Sequence, residues 1–171
     1  IPNPQTLYAK INLELDNHAI ALNTKKFTVT VLRLASIFGD SLRMRWDQSI
    51  NNMVKELCNN GKIEVKSKNS QRPFLHIDDV IRAIILVIES KENAAGEIFN
   101  VGSNDLNYSI GEIAKEITNI AKKENSLIVS DEKDKNSFTM NCDKINKKLG
   151  FKKNNDLKYG IKELLRKLDY K

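Results

Sequence analysis

No Gly-x-Gly-x-x-Gly fingerprint follows any strand-like run of this chain, and no P-loop occurs in it. A glycine-rich cradle for a dinucleotide or a nucleotide phosphate is therefore not encoded in these residues. Aromatic residues make up only 6% of the chain, and no arginine-rich stripe is interleaved with them. That argues against nucleic-acid binding despite a net charge of +6. No apolar run approaches the roughly 18 residues of a membrane span, and no signal peptide is recognisable in the opening Ile1-Pro2-Asn3-Pro4. There is no initiator methionine, so an upstream portion is expected. There are two cysteines, Cys58 and Cys142, far apart and without metal-ligand spacing. They are expected to be reduced, as suits a cytoplasmic protein.

What is present is ordinary for a soluble globular domain with a real core: 171 residues, 40% hydrophobic and 29% charged. Its 28 Lys and Arg are spread over Lys/Asn-rich stretches such as Lys152-Lys153-Asn154-Asn155. The mild positive field they create would attract a small anion.

Helix and strand signals alternate, which predicts an α/β protein. Leu7, Ile11, Leu15 and Ala19 recur at helical spacing within 6–22. Residues 27–34, Phe-Thr-Val-Thr-Val-Leu-Arg-Leu, read as one buried strand. After the break at Gly39-Asp40-Ser41, Asp47 is expected to start a helix that stops at Asn60-Gly61. Residues 63–67 alternate as a short strand. Asp78 or Asp79 is expected to cap a helix reaching about Lys91. Residues 97–101 and 127–129 read as strands. Ser109 with Glu112 three residues on forms a capping-box pattern for a helix to about Lys123. Asp143–Leu149, closed by Gly150, and Asp156–Leu168 complete the helices.

The richest stretch is Gln71-Arg72-Pro73-Phe74-Leu75-His76-Ile77-Asp78-Asp79-Val80. Arg72 can grip a diphosphate bidentately, as a lysine cannot. Phe74 reads as core. His76 has no second ligand at metal spacing, so a packed or hydrogen-bonding role is expected rather than a metal. Arg43, Arg45 and Trp46 lie just ahead of a helix, where they could meet a phosphate and stack on a ring. Leu32–Ser36 is a strand end opening into a loop, and strand C-termini are where open α/β sheets bind ligands.

Four segments taken in order carry a resemblance: Tyr8-Ala9-Lys10-Ile11-Asn12-Leu13-Glu14, Leu32-Arg33-Leu34-Ala35-Ser36-Ile37-Phe38-Gly39, Arg72-Pro73-Phe74-Leu75-His76-Ile77-Asp78-Asp79-Val80, and Phe99-Asn100-Val101-Gly102. With Asp143-Lys144-Ile145 and Leu149-Gly150-Phe151, they resemble the C-terminal half of an NAD-dependent epimerase/dehydratase, an extended short-chain dehydrogenase/reductase. The resemblance implies a Rossmann-like fold whose glycine-rich βαβ half lies upstream of Ile1. Residues 1–40 would then be the end of the core, with the tyrosine helix and the strand after it. Residues 41–171 would be mostly the substrate-binding lobe, with returning core elements. It also implies NAD or NADP as cofactor, a nucleotide-diphosphate sugar as substrate, and a homodimer formed through helices that include 6–22.

In such enzymes a Tyr-x-x-x-Lys pair shares one helix face, and the lysine lowers the tyrosine pKa for proton transfer. Tyr8 fits the tyrosine, but Asn12 stands at the lysine position and Lys10 falls on another face. Asn12 could hydrogen-bond a ribose without bringing charge. Ala35 and Ser36 would pass the nicotinamide, with Ser36 replacing an asparagine that faces the diphosphate. The resemblance assigns Arg72 to the substrate diphosphate, and Asn136 and Asn141 to places that often carry Arg and Asp. Two readings follow: an epimerase, dehydratase or reductase, or a relative that keeps the pocket and has lost hydride chemistry. The second draws on Asn12. A basic surface-binding module has only net charge behind it.

Overall fold

The computed structural model describes residues 2–130 and 137–169. The chain opens with helix α1 (Leu7–Ala21), capped by Thr6, whose Oγ1 accepts from the Ala9 N–H. Strands β1 (Val31–Leu34) and β2 (Ser36–Phe38) follow, then helix α2 (Ser49–Asn60) and strands β3 (Ile63–Val65) and β4 (Gln71–His76). Next come α3 (Ile77–Glu89), the single-turn α4 (Lys91–Ala94), β5 (Ile98–Val101), β6 (Asn107–Ser109) and α5 (Ile110–Ile120). Strand β7 (Leu127–Val129) and helices α6 (Asp143–Leu149) and α7 (Leu157–Lys167) end the described chain.

The strands form three small sheets: β1 with β5 in parallel, β3 with β7 in parallel, and β2–β4–β6, in which β2 and β4 are parallel and β6 is antiparallel. Residues 27–34 are not one strand. Phe27 closes a turn with Thr24 (Thr24 N to Phe27 O 2.9 Å, Phe27 N to Thr24 Oγ1 3.0 Å), and the Val29 N–H goes to the Asn23 side chain at 2.9 Å. These backbone groups are spent locally, so the ladder begins only at Val31. At Ala35 the chain changes partners. Its N–H still bonds Val101 O on the β5 side at 3.0 Å, and Ser36 then registers with Phe74 of β4. One apolar run thus feeds two sheets.

Helix starts also differ from expectation. Gln48, not Asp47, occupies the cap position of α2 without a side-chain cap bond, and the Asp47 carboxylate is taken by Arg45. Neither Asp78 nor Asp79 caps α3. His76 does, with its Nδ1 accepting from the Asp78 N–H at 3.3 Å. Asp79 is fully buried and instead accepts the Asn154 and Asn155 N–H groups (2.8 and 2.9 Å) and Arg82 Nη1 (2.8 Å). A buried carboxylate needs such partners, and these tie the approach to α7 onto α3. The Ser109–Glu112 capping box and the helix ends at Gly61 and Gly150, both left-handed, form where the sequence predicts them, while Asp156 caps α7 rather than lying inside it.

The core packs α2, α5 and α7 against the sheets through Val54, Leu57, Phe74, Ile113, Ile117 and Leu164. The apolar face expected for α1 is not buried: Leu7, Ile11 and Leu15 are exposed and no α1 residue is buried. Its side-chain tie to the sheet is Asp16 to Arg33 of β1, 2.6 Å. Ile81, Ile84, Ile85 and Ile88 of α3 and Leu34 of β1 are exposed as well. Parallel strands are normally covered on both faces, and among the described residues these apolar surfaces have no cover.

Candidate functional site

Strand pairing sets Ser36 and Arg72 on one face. Ser36 stands opposite Phe74, and Arg72 lies two residues before Phe74, so period two puts all three on one face of the β2–β4 pair. Phe74 is buried and anchors that face. Arg72 also stands opposite Tyr108 of β6. Its Nη1 donates to Ser70 Oγ (2.9 Å) and to Gln71 O (2.8 Å), and its guanidinium lies 5.7 Å from the centre of the Phe138 ring. Residue 138 is itself held to β4, since the Phe138 N–H bonds Gln71 O and the Gln71 N–H bonds Ser137 Oγ. Arg72 is thus a half-buried, oriented cation.

The segment 39–48 leaves from the other end of β2. Gly39 has φ 111°, and a Cβ there would stand 2.4 Å from His76 Nε2, so only glycine fits. Arg43 is exposed. Arg45 forks onto Asp47 (2.8 and 2.6 Å), which raises the arginine pKa and holds the Asp47 carboxyl well below the usual carboxylate range. Trp46 is half-buried, with Lys55 Nζ 5.9 Å from its ring centre. Of the three residues singled out in this segment, Arg45 would have to release Asp47 before gripping a phosphate.

Tyr8 and Asn12 stand one turn apart on α1. Tyr8 is 78% exposed. Asn12 turns back on its own helix, donating from Nδ2 to Tyr8 O at 3.0 Å. Lys10 is exposed. Ala35 is buried beside Gly102. Asn141 takes the Asn100 amide on its carbonyl and the Asp143 N–H on its side chain, which makes it a turn residue in this fold. Asn136 lies outside the described residues.

His76 gathers more than the sequence shows. It is fully enclosed, edge-on to Phe38 and Tyr159, and its Nε2 is 3.1 Å from Glu163 Oε2 on α7. Ligand atoms of His76, Asp78 and Glu163 fall within 4.8 Å of one another, a grouping that spacing along the chain could not reveal. Both ring nitrogens are engaged, however, so the trio is a hydrogen-bond network. Burial raises the pKa of Cys58 and pushes that of Cys142 up to about 11, which disfavours the reactive thiolate at both.

Parallel pairing and alternating helices define an α/β protein with the Rossmann-like fold of the solved structures on which it superposes. The family model for the NAD dependent epimerase/dehydratase family matches residues 1–102, and the chain belongs to that family. UDP-D-apiose/UDP-D-xylose synthase 1 of Arabidopsis thaliana is 39% identical over 59 residues, 34% of this chain and 15% of that protein. RMD from Pseudomonas aeruginosa, solved with NADPH, superposes with a TM-score of 0.84 at 20% identity, covering 99% of this chain and 58% of that one. UDP-glucuronic acid 4-epimerase from Bacillus cereus, solved with UDP-glucuronic acid and NAD, gives 0.82 at 20% identity over 99% and 54%. At that identity the structures show the fold. The chain spans little more than half the length of these solved relatives. No helix among the described residues is long and apolar enough to cross a membrane.

Proposed function

We propose that this chain is the C-terminal, substrate-binding portion of a nucleotide-sugar epimerase/dehydratase-type enzyme that works with NAD or NADP. The observation that carries the reading is the placement of Arg72 on the same face of β2–β4 as Ser36, two residues along β4 from the Phe74 that pairs with Ser36. A planar guanidinium can present paired donors to a diphosphate in exchange for the bonds it makes to Ser70 and Gln71, and a hydroxyl adds a third. Family membership and the sugar nucleotides bound to structural relatives support the same ligand class. Arg43 and Trp46, on the segment that leads into α2, would meet the rest of the nucleotide.

The residues present do not make a complete dinucleotide site. No glycine-rich turn is among them, and Asn12 brings no charge to Tyr8 and spends its amide on the Tyr8 carbonyl. No proton or hydride step is therefore assigned to Tyr8. A catalytically impaired nucleotide-sugar binder is the second reading, and Asn12 is what favours it. The phenol of Tyr8 and the amide of Asn12 share a face, so Asn12→Lys would set an ammonium one turn from the phenol.

Calorimetric titration of the full-length protein with UDP tests the ligand class. Saturable binding that Arg72→Ala weakens by about 2 kcal/mol, roughly thirtyfold in Kd, supports it. UDP affinity indifferent to Arg72 sinks it. Turnover of UDP-glucuronic acid before and after Asn12→Lys separates the two readings. A gain in rate identifies a working site held back by Asn12, and an inactive pair identifies a binder.

A further inference from the structure

Glu163 sits on α7 one turn past Gly160, and its carboxylate reaches two other parts of the chain. A single oxygen, Oε2, lies 3.1 Å from His76 Nε2 and accepts the Asp40 N–H at 2.6 Å. Since His76 Nδ1 accepts from the Asp78 N–H, the ring proton belongs on Nε2 and is donated to Glu163. The surroundings leave no slack. A Cβ on Gly39 would come within 2.4 Å of the imidazole, and one on Gly160 within 2.4 Å of the Phe38 ring and 3.0 Å of His76 Cδ2. The oxygen is therefore fixed by a ring that cannot move and a helix that approaches at contact distance.

Asp40 begins the segment that carries Arg43, Arg45 and Trp46. The segment is held at two further points. Asn51 of α2 accepts the Gly39 N–H (3.3 Å) and donates to Arg45 O (3.2 Å), and Lys167 of α7 pairs with the Asp40 carboxylate. The Lys167 pair joins two partly exposed groups and contributes little. The Glu163 contact is charge-assisted, short and backed by a fully buried histidine, so it is the stronger tie.

We infer that Glu163 is a positioning residue for segment 39–48, and through it for ligand binding by Arg43 and Trp46. The first half of this inference stands on geometry alone. The second half rests on the proposed ligand role of the segment.

Hydrogen exchange read by mass spectrometry on peptides covering 39–48 tests it in the full-length protein. Glu163→Ala should speed exchange there about tenfold. Glu163→Gln keeps an oxygen that can accept both bonds, and should restore protection. Asp156→Ala removes the α7 cap, which serves the Tyr159 N–H; it should loosen the start of α7 and leave 39–48 protected. Unchanged exchange in Glu163→Ala overturns the inference, as does equal loosening by Asp156→Ala or failure of Glu163→Gln to rescue. In parallel, Glu163→Ala should weaken UDP binding about tenfold. Faster exchange with unaltered UDP affinity overturns the ligand half. Absence of UDP binding in the unmutated protein strikes at the proposed function and leaves the exchange result standing. Should Glu163→Ala not fold, the unmutated protein still decides: the Asp40 amide, followed by NMR, exchanges slowly if Glu163 holds it and at open-loop rates if not.

Discussion

At the scale of single residues, glycine and histidine each do a job their local sequence does not announce. Gly39 combines a positive φ with an imidazole where a Cβ would be, so Gly39→Ala should destabilise the protein by about 1–3 kcal/mol. A denaturant midpoint unchanged by that substitution would contradict the packing described. Both thiols are raised by burial, and native protein at neutral pH should resist iodoacetamide, with labelling appearing only on unfolding. Rapid labelling of Cys142 in the native state would show that its enclosure is wrong. Arg72 and Ser36 were each legible through residue chemistry and the family resemblance, and Phe74 as core; that all three share one face was not, because it depends on the pairing of β2 with the distant β4. Glu163 was not: it lies 87 residues from His76, and nothing local distinguishes it from any other helix glutamate. His76 as a helix cap was equally hidden, since an aspartate pair follows it and aspartate is the commoner cap.

At the scale of elements, local signals were read well and changes of partner were not. The capping box of α5 and the glycine ends depend on residues within a turn of one another, and each formed. The division of 27–38 into a turn, β1 and β2 depends instead on β5 and β4, which lie far along the chain. Strand β6 and helix α4 are too short to stand out in any period. The capping box makes a two-part prediction. Ser109→Ala should destabilise by about 1 kcal/mol. The Ser109 backbone N–H, with its hydroxyl second, lowers the Glu112 pKa. A depressed carboxylate adds stability above its unfolded pKa and loses it as pH falls through the folded value. Stability should therefore decline below about pH 4.3, and Glu112→Gln should flatten part of that decline in acid melts. An unaltered acid limb would mean the box does not form in solution.

At the scale of the whole molecule, the fold is asymmetric in how well it is covered. α2, α5 and α7 enclose one core, while α1, β1 and α3 present Leu7, Ile11, Leu34, Ile84 and Ile88 outward. The alternation of elements made the fold class readable from sequence. The exposure of α1 was not readable, because helical spacing shows which residues share a face and not whether anything lies against it. With no glycine-rich turn in these residues, the 171-residue chain on its own should show no micromolar NAD binding in calorimetry; a measured micromolar affinity would contradict the division of labour proposed. Arg72 and Ser36 are proposed to make a diphosphate seat, and comparing UDP with UMP checks it most directly. The unmutated full-length protein should prefer UDP, and Arg72→Ala should erase that preference while leaving UMP affinity nearly unchanged. A preference for UDP that survives Arg72→Ala would place the diphosphate elsewhere and contradict the account.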